Sequence, residues 1–171
     1  DSYMASAAGT GAGVFSSSGN VISRSTITSS GAGWTRAGRS FTGWFGVYPP
    51  SDSNIIDSCY IQGSTAVYVE ESVGASIKNS VLASTWTGGY GLRNATRSSR
   101  LAVSSSSITG GPGGAAVFLD QVNSISINLS SNIITGPQAG AYSGILIATQ
   151  TSATPFAGLA IAGMTFMDPL P

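Results

Sequence analysis

Residues 124–136 read SISINLSSNIITG, and this stretch decides the predicted fold. Two apolar residues, Leu129 and Ile134, stand five positions apart with mostly small polar residues between them. Thr135 and Gly136 follow as a turn signal. β-Branched residues dominate and helical periodicity is absent, so the stretch predicts two short strands joined by a tight corner.

The five-residue spacing recurs six times along the chain. The pairs are Ile22 and Ile27, Ile56 and Ile61, Ile77 and Leu82, Val103 and Ile108, Leu129 and Ile134, and Ile161 and Phe166. Successive copies begin 34, 21, 26, 26 and 32 residues apart. A period of this length is typical of stacked units, because one such unit cannot bury its apolar side alone.

A second, shorter strand pattern precedes copies of the pair. It reads Gly46-Val47-Tyr48, Ala66-Val67-Tyr68-Val69, Gly91-Leu92-Arg93, Ala116-Val117-Phe118-Leu119 and Gly144-Ile145-Leu146-Ile147. Each unit is therefore strand, turn, strand, turn, and the first member of every pair is predicted to join one interior column. At about 4.8 Å per rung, six coils would form a rod about 29 Å long.

The repeat predicts an all-β fold, a single-stranded parallel β-helix (solenoid) of about six coils. Residues 1–13 are interpreted as an N-terminal cap or linker, 14–167 as the β-helix and 168–171 as a C-terminal tail. Small Ser and Asn residues between the paired positions suit tight corners and side-chain stacking. A β-sandwich is the alternative, but it predicts no fixed five-residue motif.

Composition excludes several classes of function. Of 171 residues, 42% are hydrophobic and 8% are charged, and the seven basic and seven acidic residues cancel. Nucleic acid is not an expected partner because no basic stripe is present. The chain has no His, which removes His-based triads and metal sites, so neither a metal nor a cofactor is predicted. The single Cys59 is interpreted as structural, and no apolar run predicts a membrane span.

The segments 124–136 and 75–82 resemble coils of the right-handed parallel β-helix superfamily, the pectate-lyase-like fold, over roughly residues 14–167. That resemblance implies right-handed coils. Its members include polysaccharide lyases, glycoside hydrolases, uronan epimerases and bacteriophage tailspikes. The low-charge Ser/Gly/Thr-rich coils look most like a tailspike segment. This implies a homotrimer that binds, and often cleaves, bacterial surface polysaccharide at an extracellular or virion surface.

Two acids are the catalytic candidates. Aligning the shorter strands places Glu70 and Asp120 in one outward column, two rungs or about 9.6 Å apart. Inverting glycosidases hold their carboxylates about 6.5–9.5 Å apart, which leaves room for a water. Arg93 falls on the coil between them and could bind an acidic sugar. The alternative is that both acids are ordinary solvated surface groups. The calcium-binding acids of pectate lyases have no convincing match here.

Aromatic residues are the carbohydrate-binding candidates. The outward column one step earlier holds Tyr68, Arg93, Phe118 and Leu146, and burial by a loop or subunit is favoured there over sugar binding. Trp34 and Trp44 lie in a long predicted loop, and Trp86 lies in another. Such rings on a rigid scaffold suit a carbohydrate platform, although they could equally plug a coil end or a subunit contact.

Three functions therefore compete. The first is a tailspike or tail-fibre segment that recognises bacterial surface polysaccharide. The second is a stand-alone polysaccharide hydrolase or lyase, and the third is a structural or adhesive solenoid such as an adhesin passenger. Ice binding is set aside, because the Thr residues do not recur in every coil. The glycan, the host and the parent protein are not fixed by the sequence.

Overall fold

The computed structural model describes residues 1–7, 12–15, 18–29, 37–41, 51–70, 72–94, 100–119, 127–136, 144–147 and 159–167. Within these ranges the regular elements are strands, and no α-helix occurs. In chain order the strands are β1 (Ser2–Ser6), β2 (Ala12–Phe15), β3 (Val21–Ser23), β4 (Ser25–Ser29), β5 (Ala37–Phe41), β6 (Ser51–Asp52), β7 (Ile55–Asp57), β8 (Tyr60–Gly63), β9 (Thr65–Val69), β10 (Ser72–Val73), β11 (Ser76–Lys78), β12 (Val81–Ser84), β13 (Tyr90–Asn94), β14 (Ala102–Ser104), β15 (Ser107–Thr109), β16 (Val117–Leu119), β17 (Ile127–Ser130), β18 (Ile133–Thr135), β19 (Ile145–Ile147), β20 (Leu159–Ala162) and β21 (Thr165–Met167).

The strands form three large sheets. Sheet A has the order β1-β4-β8-β12-β15-β18-β21, sheet B has β2-β5-β9-β13-β16-β19, and sheet C has β3-β7-β11-β14-β17-β20. A short pairing joins β6 and β10. From β12 to β17 the chain visits sheets A, B and C in turn and then repeats that order. Each strand thus pairs with its equivalent one repeat away.

The described strands pair in parallel throughout. An antiparallel β-sandwich does not have this pairing. The molecule is therefore all-β with parallel sheets in its described part, an arrangement compatible with a parallel β-helix. Within that part, no helix is long and apolar enough to cross a bilayer.

The strand register aligns the first members of the pairs in one column, as predicted, and the second members in another. In sheet C the column runs Ile22, Ile56, Ile77, Val103, Leu129 and Ile161. In sheet A it runs Ile27, Ile61, Leu82, Ile108, Ile134 and Phe166. From Ile77 to Leu129 in sheet C and from Ile27 to Ile134 in sheet A the members are fully buried, while Ile22 and Ile56 are partly buried. Ile161 and Phe166, on the last strands of their sheets, are 46% and 60% exposed.

The turn between sheets C and A explains the five-residue spacing. In each copy one residue adopts a left-handed backbone conformation. These residues are Arg24, Ser58, Asn79, Ser105, Ser131 and Gly163, with φ between 45° and 59°. The backbone N–H of Asn79, for example, donates to the Ser104 carbonyl oxygen one repeat away at 3.2 Å. A single left-handed residue turns the chain sharply, which allows both flanking strands to keep an inward residue.

A buried polar residue follows each of the first five left-handed residues, and we call this set the polar ladder. It consists of Ser25, Cys59, Ser80, Ser106 and Asn132. The Cys59 N–H donates to Ser80 Oγ at 3.1 Å, and the Ser80 N–H donates to Ser106 Oγ at 3.2 Å. The Ser106 N–H in turn donates to Asn132 Oδ1 at 2.9 Å. The ladder satisfies backbone groups that burial would otherwise leave unpaired.

Cys59 occupies a ladder position like its serine neighbours. Its thiol donates to the Asp57 carbonyl oxygen at 3.3 Å, as the Ser80 hydroxyl donates to the Lys78 carbonyl oxygen at 2.7 Å. The side chain is buried. These contacts agree with the structural role predicted for Cys59.

The predicted cap and tail can be compared with the described residues at the two ends of the chain. Strand β1 lies at the edge of sheet A, paired with β4 from Ser2↔Ser25 to Ser6↔Ser29. The predicted tail, residues 168–171, lies outside the described residues. The limits of cap, β-helix and tail stay predictions.

Candidate functional site

An arginine lies between two aromatic rings on the outer side of sheet B. The register places Tyr68, Arg93 and Phe118 on adjacent strands, with Leu146 on the next. The Arg93 guanidinium carbon lies 5.3 Å from the Tyr68 ring centroid and 5.4 Å from the Phe118 ring centroid. Both distances are within the range of cation–π attraction, about 0.5–2 kcal/mol for each contact.

The members of this column differ in the exposed fraction of their side chains. Tyr68 is only 6% exposed, whereas Arg93, Phe118 and Leu146 are half-buried. The sequence favoured burial of this stripe over sugar binding. In the structure Tyr68 and Arg93 pack on each other, and their predicted contact with carbohydrate stays a prediction.

A third aromatic residue links this column to a surface groove. The Tyr90 ring stacks on the Phe118 ring, with centroids 4.7 Å apart and planes inclined at 26°. Tyr90 also lines a groove of about 300 Å³ together with Ser64, Thr65, Trp86, Thr87, Gly88 and Gly89. Trp86, a predicted carbohydrate-binding residue, is 41% exposed there. We call this feature the Trp86 groove.

Two glycine-rich turns hold the Trp86 groove in place. The first joins β12 to β13 and the second joins β15 to β16. The Gly88 N–H donates to the Pro112 carbonyl oxygen at 2.6 Å, and the Gly111 N–H donates to the Gly89 carbonyl oxygen at 3.1 Å. Any Cβ on Gly114 would overlap the Gly89 carbonyl oxygen. Glycine is required at this position because the two backbones lie in contact.

The first of these turns is also fixed to the preceding coil. The Tyr90 N–H and the Ser84 hydroxyl both donate to the Ser64 carbonyl oxygen, at 3.1 and 2.9 Å. A Cβ on Gly89 would overlap that same oxygen. Trp86 therefore projects from a turn whose backbone is held on two sides.

The other candidate site residues are only partly described. Glu70 follows β9 and is half-buried, while Asp120 lies outside the described residues. Trp34 and Trp44 also lie outside the described residues. The catalytic pair and the long-loop tryptophans thus stay predictions.

A charged cluster on the outer side of sheet C has a structural explanation. The Asn79 amide donates to Asp57 Oδ1 at 3.0 Å, the Ser58 hydroxyl donates to the same oxygen at 2.9 Å, and Lys78 Nζ lies 3.4 Å from Asp57 Oδ2. The hydrogen bonds from Asn79 and Ser58, with the nearby Lys78 ammonium, hold the pKa of Asp57 below its ordinary value of 3.8, while desolvation opposes them. The carboxylate thus ties together two neighbouring C-to-A turns.

Of the residues that line the Trp86 groove, the sequence singled out only Trp86 as a site residue, and Tyr90 and Thr87 are among those it missed. The position of Tyr90 beside Gly88-Gly89 is the signal that could have found it. In comparisons with known proteins, the chain matches no family model, no curated protein and no solved structure.

Proposed function

We propose that this chain is a right-handed, single-stranded parallel β-helix of about six coils that recognises bacterial surface polysaccharide, as a segment of a phage tailspike or tail fibre. The repeated visits to sheets A, B and C support the β-helix, and the resemblance of the coils supports the tailspike class. An extracellular or virion-surface location belongs to the same proposal.

The observation that carries the binding function is the Trp86 groove. An indole 41% exposed beside a half-buried tyrosine offers flat apolar surface, on which the C–H face of a sugar ring can stack. Thr87 supplies a hydroxyl that can both donate and accept hydrogen bonds. Because paired glycine turns fix the groove, a ligand would meet a surface that needs little ordering on binding.

The test is binding of the purified chain to a panel of bacterial surface polysaccharides, measured by calorimetry. Trp86→Ala is expected to weaken binding to the recognised glycan by about tenfold or more. Val21→Ala is the control, because Val21 is 60% exposed on sheet C, does not line the groove and lies outside the proposed subunit contact. Equal binding by wild type and Trp86→Ala would reject this groove as the site.

Assembly into a homotrimer is part of the proposal. The outer side of sheet A presents the half-exposed apolar side chains Tyr60, Val81 and Ile133, which contact between copies would remove from water. Light scattering measures the mass directly. A trimer is expected, and a monomer at all concentrations would contradict this part of the proposal.

Cleavage of the bound polysaccharide is a separate question that concerns Glu70 and Asp120. Reducing-sugar release by the wild type, lost in both Glu70→Gln and Asp120→Asn, would establish the acid pair. Binding without release would leave recognition as the function of this chain.

A further inference from the structure

The Trp86 groove carries no charge among its described lining residues, which are three hydroxyl residues, two glycines, Trp86 and Tyr90. Burying a carboxylate without a cation to pair it is costly, because the charge loses its hydration. A groove built for an acidic sugar would therefore be expected to present Arg or Lys.

The cation on the same strand is already engaged elsewhere. Arg93 lies three residues beyond Tyr90 on β13, and its guanidinium lies between the Tyr68 and Phe118 rings. It is not among the residues that line the groove. The sequence suggested that Arg93 could bind an acidic sugar, but its packing gives it a structural partner on each side.

From these observations we infer that the Trp86 groove takes a neutral hexopyranose residue of a glycan chain, stacked on Trp86, and does not recognise a uronic acid. This inference rests on the proposed polysaccharide recognition and names its ligand class. The groove volume of about 300 Å³ lies at the lower end of the range for ligand pockets, which suits a short portion of a chain.

The lining hydroxyls match this ligand. Ser64, Thr65 and Thr87 each carry a group that donates and accepts, as sugar hydroxyls do. Hydrogen bonds between neutral groups do not depend on a counter-ion, so binding should respond weakly to salt.

The experiment uses each polysaccharide of the panel in two forms, native and carboxyl-reduced. Reduction converts uronic acids into neutral hexoses and leaves the linkages in place. We expect the recognised glycan to bind equally well in both forms and at low and high salt. Trp86→Ala should weaken binding by about tenfold or more, and Val21→Ala on sheet C should leave it unchanged.

Three outcomes separate the two proposals. Binding that is lost on carboxyl reduction, or that falls steeply with salt, overturns the neutral-sugar inference and leaves polysaccharide recognition intact. Salt-independent binding that Trp86→Ala does not affect overturns the assignment of the groove. Absence of binding to every member of the panel overturns the proposed function as well.

Discussion

The turns between sheets C and A differ from the turns between sheets A and B in the same repeats. Every C-to-A turn has the same length, one left-handed residue and, in the first five copies, a buried polar residue. The two described glycine-rich turns have different lengths, spanning residues 85–89 and 110–116. The constant length of the C-to-A turns keeps the core residues of successive repeats aligned. The unequal lengths of the two A-to-B turns create the Trp86 groove.

This contrast shows where the fold can accept change. The C-to-A turn is fixed by hydrogen bonds to the next repeat, so an insertion there would break the polar ladder. The A-to-B turn is fixed by close backbone contact at a few glycines, so its other residues are free to present side chains to solvent.

The largest effect is expected in the core column next to the C-to-A turns. Ile108→Ala removes a fully buried side chain and should lower the free energy of unfolding by about 2–5 kcal/mol. Ser107→Ala, on the outward-facing neighbour, should change it by less than about 0.5 kcal/mol. Urea denaturation of both variants measures the difference, and equal effects would contradict the assigned inward and outward positions.

In the second glycine-rich turn, substitutions at two neighbouring glycines should differ sharply in their cost to stability. Gly114→Ala places a Cβ against the Gly89 carbonyl oxygen and should cost about 1–3 kcal/mol of stability. Gly113 has a φ of 69° with open space around it, so Gly113→Asn, which tolerates that conformation, should cost less than about 1 kcal/mol. Thermal unfolding distinguishes the two, and a harmless Gly114→Ala would mean that the turns are not in close contact.

The polar ladder should be sensitive to loss of one hydroxyl. Ser106→Ala removes the donor to the Ser104 carbonyl oxygen and the acceptor for the Ser80 N–H. A buried N–H without a partner costs about 1–3 kcal/mol, and that loss is expected in chemical denaturation. Ser104→Ala, on the outward side, serves as the control. An unchanged free energy of unfolding in Ser106→Ala would contradict a stabilising role for the polar ladder.

Asp57 should give the C-to-A turns a modest pH dependence. Its folded-state pKa is lowered, so its stabilising effect is present above its ordinary value of 3.8 and is lost as pH falls through the lower folded value. Asp57→Asn should therefore be less stable than the wild type at about pH 6 and nearly equal to it at about pH 2. Denaturation at the two pH values tests this, and a difference that persists in acid would contradict it.

The smallest effect is expected at Cys59. Cys59→Ser places a hydroxyl where Ser80 and Ser106 already occupy equivalent ladder positions, so stability should change by less than about 0.5 kcal/mol. A loss above 2 kcal/mol, on the scale of a disrupted core, would show that the thiol contributes packing that a serine cannot replace.

The sequence predicted the repeat because the pattern that marks each unit, the five-residue apolar pair, lies within one short stretch of chain. A left-handed corner of fixed length forces apolar residues into the five-residue pairs, and Ile77 therefore lies in the predicted column while Leu82 lies in the matching column of sheet A. The alignment of Tyr68, Arg93 and Phe118 was predicted from the second strand pattern, which recurs in successive repeats. The groove was not, because it depends on two turns of unequal length packing on each other. The alignment that pairs Tyr68 with Arg93 also pairs Thr65 with Tyr90 on β9 and β13, but no spacing rule places Trp86 beside them.

The most direct test of the account is a backbone amide and indole NMR titration of the folded protein with the polysaccharide that it binds. The account predicts that the largest shifts occur at the Trp86 indole and at the amides of Thr87, Gly88 and Gly89. Small shifts are expected on the outer side of sheet C. Shifts concentrated on another sheet, with the Trp86 indole unmoved, would contradict the assignment of function to this groove.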